Sequence, residues 1–415
     1  MKKSVVIFIT AVCLLITGCG STGSLSKLPS SSFHEDKQKL TIMHIDADNK
    51  RFQDFIEETE KKLEMEITVE KCPSNADNRQ AKISTILASG DKNIDLISVN
   101  DEMISEFKHK GYLEPLEKNV MTEEVRDSFP QKYLESICEE NGHIYSVPFQ
   151  MDIMMFWVNQ ELLKQAGLDE IKNTGDFDIL QKSLKNPDQY AYGDAWENTH
   201  VYNSLSQFVN FWGGDYFDWT DPKTKDAARY MKSMLDEKNT SPAQFVDQYE
   251  QMEEKFIRGK YGCVFMYTGA LGTFLDADVY GKNKIHMAPL PVLHKKKATN
   301  IATWQYVLNN ASENKDAAVR FLQYAAGYEG STEYAKIMKS YPARVDVIEN
   351  EDIDLEGIDM IRKYLREYTL NARPLCENSM GAVSDMGKLF QGYVLGQCEE
   401  DSFFEQAQNC INTYY

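Results

Sequence analysis

The chain is poor in the signatures that mark enzymes and metal proteins. Its 415 residues hold no HExxH, no GxSxG and no P-loop, so zinc-protease, serine-hydrolase and nucleoside-triphosphatase chemistry have no local foothold. Seven histidines lie scattered without ligand-like clustering, and eight cysteines form no CxxC pair, which sets aside zinc and thioredoxin-like motifs. The stretch Asp352-x-Asp354-x-Glu356-Gly357 imitates the start of a calcium loop, but Lys363 stands where a bidentate acid is needed. No repeat of 20–50 residues is visible. Positive charge is the minority sign: 45 Lys and Arg against 64 Asp and Glu leave a net charge of −19. Such a surface repels nucleic acid and anionic lipid.

Long apolar runs are also missing. The run Ser4 to Ile16, behind Lys2 and Lys3, is too short to span a bilayer comfortably and is followed by Ile16-Thr17-Gly18-Cys19. This pattern resembles a bacterial lipoprotein signal, with cleavage before Cys19, lipid on that residue, and a mature chain tethered outside the cytoplasmic membrane. Residues 1–18 are then the signal, and residues 19–39 a lipidated tether whose Ser21 to Ser32 stretch has little power to fold. Loss of Lys2 and Lys3 takes the formal charge from −19 to −21. Of the remaining cysteines, Cys376 can be stapled to Cys398 or Cys410 in an oxidising compartment, or all can be free buried thiols.

What is present is a packed, 42% hydrophobic chain with alternating periodicities. Leu40 to Ile45 reads as a strand, Phe52 to Leu63 as a helix, Ile67 to Val69 as a strand, and Asn78 to Ala88 as a helix. Ile94 to Val99 is a third strand and Asp101 to Lys110 a helix ended by Gly111. Strands alternating with helices predict a parallel sheet, whose ligands sit beyond the carboxyl ends of the strands. Those ends are His44 to Asp48, Cys72 to Asn75 and Asn100 to Glu102. Asp46 and Asn100 are the candidate contacts there, since Asp101 fits a routine helix N-cap. In Tyr145 to Leu162 most of the apolar row, Trp157 included, reads as core. Pro148 interrupts the ladder there, and Gln150 and Asp152 face a cleft.

Six segments occur in fixed order: ILASGDKNIDLISVN (86–100), KGYLEPL (110–116), NGHIYSVPF (141–149), FWVNQELLKQAGL (156–168), FIRGKYGCVFMYTG (256–269) and NASENKDAAVRFLQYAAG (310–327). Together they resemble extracellular solute-binding protein family 1, the receptors of carbohydrate ABC importers. The PxTW segment usual after the AGL helix is replaced here by Thr174-Gly-Asp-Phe177, and the approach to Trp304 lacks the usual glycines. The resemblance implies an α/β fold of two lobes, periplasmic-binding-protein-like (type II), each a mixed sheet flanked by helices. Its crossings fall near Leu113 to Leu116, Tyr267 to Leu271 and Ala311 to Gly327. Lobe 1 takes residues 40–112 and 270–325, and lobe 2 takes 113–269 and 326–415.

The resemblance further implies a monomeric receptor without cofactor or catalytic step. It captures a carbohydrate and delivers it to permease subunits driven by a separate ATPase, with no nucleic-acid partner. Sugar recognition asks for aromatic plates and hydrogen-bonding carboxylates, amides and arginines. The resemblance places Trp196, Tyr267, Gly269, Trp304 and Arg344 at the cleft, beside Asp46, Asn100 and Asp152. Trp196 is a stacking plate or a packing residue, Tyr267 and Gly269 are ligand contacts or hinge residues, and Arg344 is a contact or a surface ion pair. Trp212, before Gly213 and Gly214, reads as structural. The rival readings are the same fold taking a non-sugar solute, such as a polyamine or peptide, and an extracellular glycosidase.

Overall fold

A computed structural model describes residues 37–73 and 76–415. The signal, Cys19 and most of the tether lie outside the described residues. The N-terminal periodicities resolve almost where they were read. The first strands and helices are β1 (Lys39–His44), α1 (Lys50–Leu63), β2 (Glu66–Lys71), α2 (Ala76–Ser89), β3 (Leu96–Asn100) and α3 (Asp101–Phe107). The α1 helix starts where the Asn49 side chain accepts the Arg51 N–H, and ends at Glu64 in the left-handed region. It buries Phe52, Phe55 and Ile56.

Further along come β4 (Ser146–Asn159), β5 (Tyr190–Gly193), α4 (Val201–Trp212), α5 (Tyr249–Ile257), β6 (Tyr261–Tyr267), β7 (Ile285–Ala288) and β8 (Ala298–Leu308). The chain closes with α6 (Lys315–Ala326), α7 (Tyr328–Met338), β9 (Thr369–Ala372), α8 (Ser379–Val394) and α9 (Glu400–Tyr414). Among the described residues no helix is long and apolar enough to cross a membrane.

One nine-stranded mixed sheet runs through both lobes in the order β2-β1-β3-β8-β4-β6-β5, with β9 on β8 and β7 on β4. Lys37–Tyr415 accordingly holds together as one compact unit. Two long antiparallel strands make the join. The last residues of β8, Trp304 to Leu308, pair with β3, while its first, Ala298 to Ile301, pair with β9. The first part of β4, Ser146 to Ile153, pairs with β8, and its second part pairs with β6 and β7. The crossings are therefore Gln150 to Ile153 and Ile301 to Trp304, joined by the segment 350–357.

This moves the expected lobe boundaries. Residues 113–149 belong with lobe 1, because Leu113 bridges to Asn309 and the Leu116 N–H donates to the Ile144 carbonyl. Residues 270–300 belong with lobe 2, because Phe274 meets Trp157 edge-on at 5.0 Å and β7 pairs with the far half of β4. Residues 326–349 return to lobe 1, where Tyr334 of α7 packs edge-on against Phe55 of α1 at 5.3 Å. Leu113 to Leu116, Tyr267 to Leu271 and Ala311 to Gly327 are thus not crossings.

Pro148 does not break the ladder. It lies inside β4 opposite Gln305, and the register slips by one residue between Trp304 and Gln305, so that Phe149 is the extra residue of a bulge. Trp157 is fully buried in the lobe 2 core and donates its indole N–H to the Met266 carbonyl at 2.8 Å. Gly213 caps α4 at a φ of 69°, leaving Trp212 stacked at 5.1 Å on His294 in a structural role. The six described cysteines are free thiols, so no staple joins Cys376 to Cys398 or Cys410.

Trp157→Ala removes a fully buried tryptophan of the lobe 2 core and takes the indole donor from the Met266 carbonyl. A loss of about 3–5 kcal/mol is expected, seen as a lower urea midpoint with an unchanged slope.

Candidate functional site

The carboxyl ends of β1, β3 and β6 and the crossings of β4 and β8 converge on one cleft. Trp304 is the centre of a three-strand row, lying opposite Asn100 on one side and Gln150 on the other. The Phe149 bulge falls beside it, so the pleat of β4 is shifted where the two lobes meet. Trp304 is half-buried, and the Arg79 guanidinium of α2 lies 5.4 Å from its ring centroid. Arg79 also donates to the Pro73 carbonyl at 3.3 Å.

Beneath this row sits a cluster of buried charge. The Asp101 carboxylate, 0% exposed, accepts from the Tyr133 hydroxyl at 2.6 Å, the Thr303 N–H at 3.0 Å and Arg373 Nε at 3.3 Å. Burial pushes this carboxyl up, against the pull of the Arg373 charge and the Tyr133 bond. Glu102 receives the two outer nitrogens of Arg373 at 2.5 and 3.0 Å and the Tyr202 hydroxyl at 2.7 Å. Burial drives its carboxyl up as well, yet the Arg373 charge and these hydrogen bonds outweigh that and hold it below the usual range. Asp101, Glu102 and Tyr133 come from lobe 1, whereas Arg373 and Tyr202 come from lobe 2.

Around the cluster the cleft wall is polar. Asp152 Oδ1 accepts from Thr268 Oγ1 at 2.7 Å and from the Gly269 N–H at 2.9 Å. Burial pushes its carboxyl up, and those two bonds only partly counter it. The side chain is crowded on most sides and still partly open to solvent. The Tyr267 hydroxyl donates to Asn203 Oδ1 at 2.9 Å, and the Arg373 guanidinium lies 5.8 Å from the Tyr267 ring centroid. The Tyr249 hydroxyl reaches the Tyr267 carbonyl at 3.4 Å.

At the end of β1, His44 is fully buried and stacks on Phe52 at 3.8 Å. Its Nδ1 accepts the Asp46 N–H at 3.0 Å. Burial pulls the imidazole down to about 3. The Asp46 carboxylate lies 3.8 Å from Nδ1, but the ring is neutral at physiological pH, so the contact is no ion pair. Asp46 itself is half-buried, with its carboxyl pushed up by burial.

Six of the sequence-derived candidates stand at strand ends or crossings: Asn100 and Trp304 are strand partners, Asp152 accepts the Gly269 N–H just past Tyr267, and Asp46 follows β1 beside His44. Two do not. Trp196 is 0% exposed, donates its indole N–H to Asp194 Oδ2 at 2.8 Å and packs edge-on against Phe245 and Phe390. Its polar neighbours suggested a cleft loop, but the buried Asp194 carboxylate makes them part of the lobe 2 core. Arg344 is buried and donates to the Ala326 carbonyl, Ser128 Oγ and both Asp346 oxygens. It ties the end of α6 to Ser128, a structural clasp.

The N-cap assignment is reversed as well. Asn100 caps α3 by accepting the Met103 N–H at 3.3 Å, and Asp101 turns inward to the charge cluster. Arg79 and Arg373 went unread. The signal for Arg373 was the adjacent pair Asp101-Glu102, two carboxylates at a buried helix start that require a cation from elsewhere.

Arg373→Met leaves Asp101 and Glu102 buried without their cation. A destabilisation of about 3–5 kcal/mol is expected by urea denaturation. His44 gives a pH signature. In the unfolded chain its imidazole takes a proton near pH 6.5, whereas the folded ring resists down to about 3. Between those values the unfolded state binds more protons, so stability falls as pH falls, by up to about 1.4 kcal/mol per unit from this group. His44→Gln is expected to remove that slope between pH 6 and 4, measured as the difference in unfolding free energy from the unsubstituted protein.

The profile of the family described as bacterial extracellular solute-binding protein matches residues 46–332. A curated relative, a probable amino-acid ABC transporter periplasmic-binding protein of Sinorhizobium fredii, is 24% identical over 239 residues, covering 55% of this chain and 54% of its own length. The chain thus spans about half the length of that relative. A solute-binding protein of Thermotoga lettingae bound with alpha-D-tagatose superposes with a TM-score of 0.77 at 18% identity, covering 91% of this chain and 99% of that one. Maltose-bound MalE3 of T. maritima gives 0.75 at 16% identity, covering 90% and 99%. At such identities these likenesses bear on the fold, which is the two-lobed type II architecture. With the profile covering more than half of its length, the chain belongs to the bacterial extracellular solute-binding protein family.

Proposed function

We propose that this chain is the receptor of an ABC importer for a sugar or related polyol, captured between the lobes and handed to membrane permease subunits. The observation that carries the reading is the row Asn100–Trp304–Gln150. It sets a half-buried indole between two amides at the point where both crossing strands meet, with Asp46 and Asp152 alongside. An aromatic face flanked by hydrogen-bonding side chains matches the two faces of a sugar, apolar C–H patches and a rim of hydroxyls.

Closure follows from the same geometry. A solute that touches Asp46 and Asn100 on lobe 1 and Tyr267 and Gly269 on lobe 2 binds the closed form better than the open one, and shifts the population by that difference. The tagatose and maltose of the two structural neighbours support a saccharide. The amino-acid description of the curated relative keeps a non-sugar solute as the second reading. On this reading the chain performs no chemical step, and lipid at Cys19 would hold it at the outer face of the cytoplasmic membrane as a monomer, raising its concentration near the permease.

A thermal-shift screen of the full chain against mono- and oligosaccharides, polyols, amino acids and polyamines tests the reading. A saccharide or polyol is expected to raise Tm by binding the folded state, without product forming. Trp304→Ala is expected to weaken that ligand by about 10-fold or more. A shift seen only with amino acids or polyamines, or turnover of a sugar, overturns it.

A further inference from the structure

The cleft has an unequal stock of charge. Asp46, Asp101, Glu102 and Asp152 line the meeting of the lobes, and Glu250 and Glu253 of α5 add their fields, the first acting on Arg79 and the second on Tyr249. Against them stand two guanidiniums, Arg79 and Arg373. Every nitrogen of the Arg373 fork is engaged: one outer nitrogen by Glu102 and Tyr202, the other by Glu102, and Nε by Asp101. Arg79 lies against the Trp304 face, donates to Pro73 and sits in the fields of Glu102 and Glu250. A carboxylate or phosphate is normally read by an open guanidinium fork. The Arg373 fork is fully taken up inside the protein, and the Arg79 guanidinium lies on the Trp304 ring.

Acceptors, by contrast, are open. Both hydrogen bonds to Asp152 end on Oδ1. Beside Oδ2 stands Gly269, exposed and without a side chain, where even an added Cβ would sit 3.5 Å from that oxygen. The Asp46 carboxylate has no hydrogen-bond donor among the described residues, its nearest polar neighbour being the neutral His44 ring 3.8 Å away. Burial disfavours the ionised form of both groups, so each gains from a donor that holds it charged. Trp304 and Tyr267 add ring faces that favour a cation as well as a sugar C–H patch.

Resting on the reading of this cleft as a saccharide site, we propose that it selects donor-rich neutral or cationic solutes, an amine-bearing sugar above all, and rejects anionic sugars. An ammonium would reach Asp152 Oδ2 or Asp46, while sugar hydroxyl oxygens accept from the amide nitrogens of Asn100 and Gln150, whose oxygens already accept from the Met103 N–H and the Tyr334 hydroxyl. A uronate or sugar phosphate would bring a further negative charge to a site where Asp46, Asp101, Glu102 and Asp152 outnumber the two guanidiniums and where Arg373 is already bound to two carboxylates.

Isothermal titration of the full chain tests this with matched trios of hexose, 2-amino-2-deoxyhexose and hexuronate in the gluco, galacto and manno configurations. Spermidine serves as a cation without a sugar frame. The amino sugar of at least one trio is expected to bind tighter than its hexose by about 10-fold, the hexuronate weaker by about as much, and the spread to shrink in high salt. Asp152→Asn is expected to reduce the amino-to-neutral affinity ratio by about 10-fold, with Asp46→Asn as the second variant should the first fail to fold. A hexuronate bound as tightly as its hexose, a ratio unmoved by either variant, or spermidine bound above every sugar overturns the proposal. Where no sugar of any kind binds, the saccharide reading of the cleft falls and takes this inference with it.

Discussion

The contact on which the two-lobed arrangement depends is the grip of Arg373 on Asp101 and Glu102. Two adjacent carboxylates at the start of α3 are withdrawn from water, and each would be intolerable there alone. One guanidinium, arriving from the far end of the chain after β9, answers both. The pairing fastens the C-terminal part of lobe 2 to the first helix beyond the lobe 1 sheet. The Thr303 N–H and the Tyr133 hydroxyl converge on the same Asp101 oxygen, so the crossing strand β8 is held at that point too.

Local order in lobe 1 was legible. Periodicity and end signals in residues 40–110 placed three strands and three helices because each element there is short, begins at a cap and buries one face. The core role of Trp157 was legible for the same reason, since its whole strand is apolar on both sides. The lobe boundaries were not. A period-two pattern says that Ser146 to Asn159 is a strand, but nothing local says that its first half pairs in one lobe and its second half in the other. Only the partners β8, β6 and β7, distant in sequence, decide that.

Site residues divide along the same line. The positions of Asp46, Asn100 and Asp152 at strand ends and on a crossing strand were legible because strand ends and side-chain alternation are local facts. Trp196 misled because its turn-like neighbours look solvent-facing until the buried Asp194 carboxylate is seen to collect Trp196, Tyr192 and Ser204 around itself. Arg344 misled because a surface arginine and an internal clasp have the same spelling. Arg79 and Arg373 were invisible because their importance lies wholly in what they face, and Arg373 is separated from its acids by some 270 positions.

The shared sheet also sets the order in which the chain can mature. β3 lies between β1 and β8, and β4 between β8 and β6, so the lobe 1 sheet has no central strand until residues 298–308 exist. A chain made from its N terminus must therefore carry β3 with an open edge while residues 101–297 are added, and β4 with another while residues 160–297 are added. Neither lobe can finish early. The lobe 1 sheet closes when this eleven-residue strand arrives, and the lobe 2 sheet only when β9 adds to its first residues, so pairing between strands distant in sequence sets the pace of both.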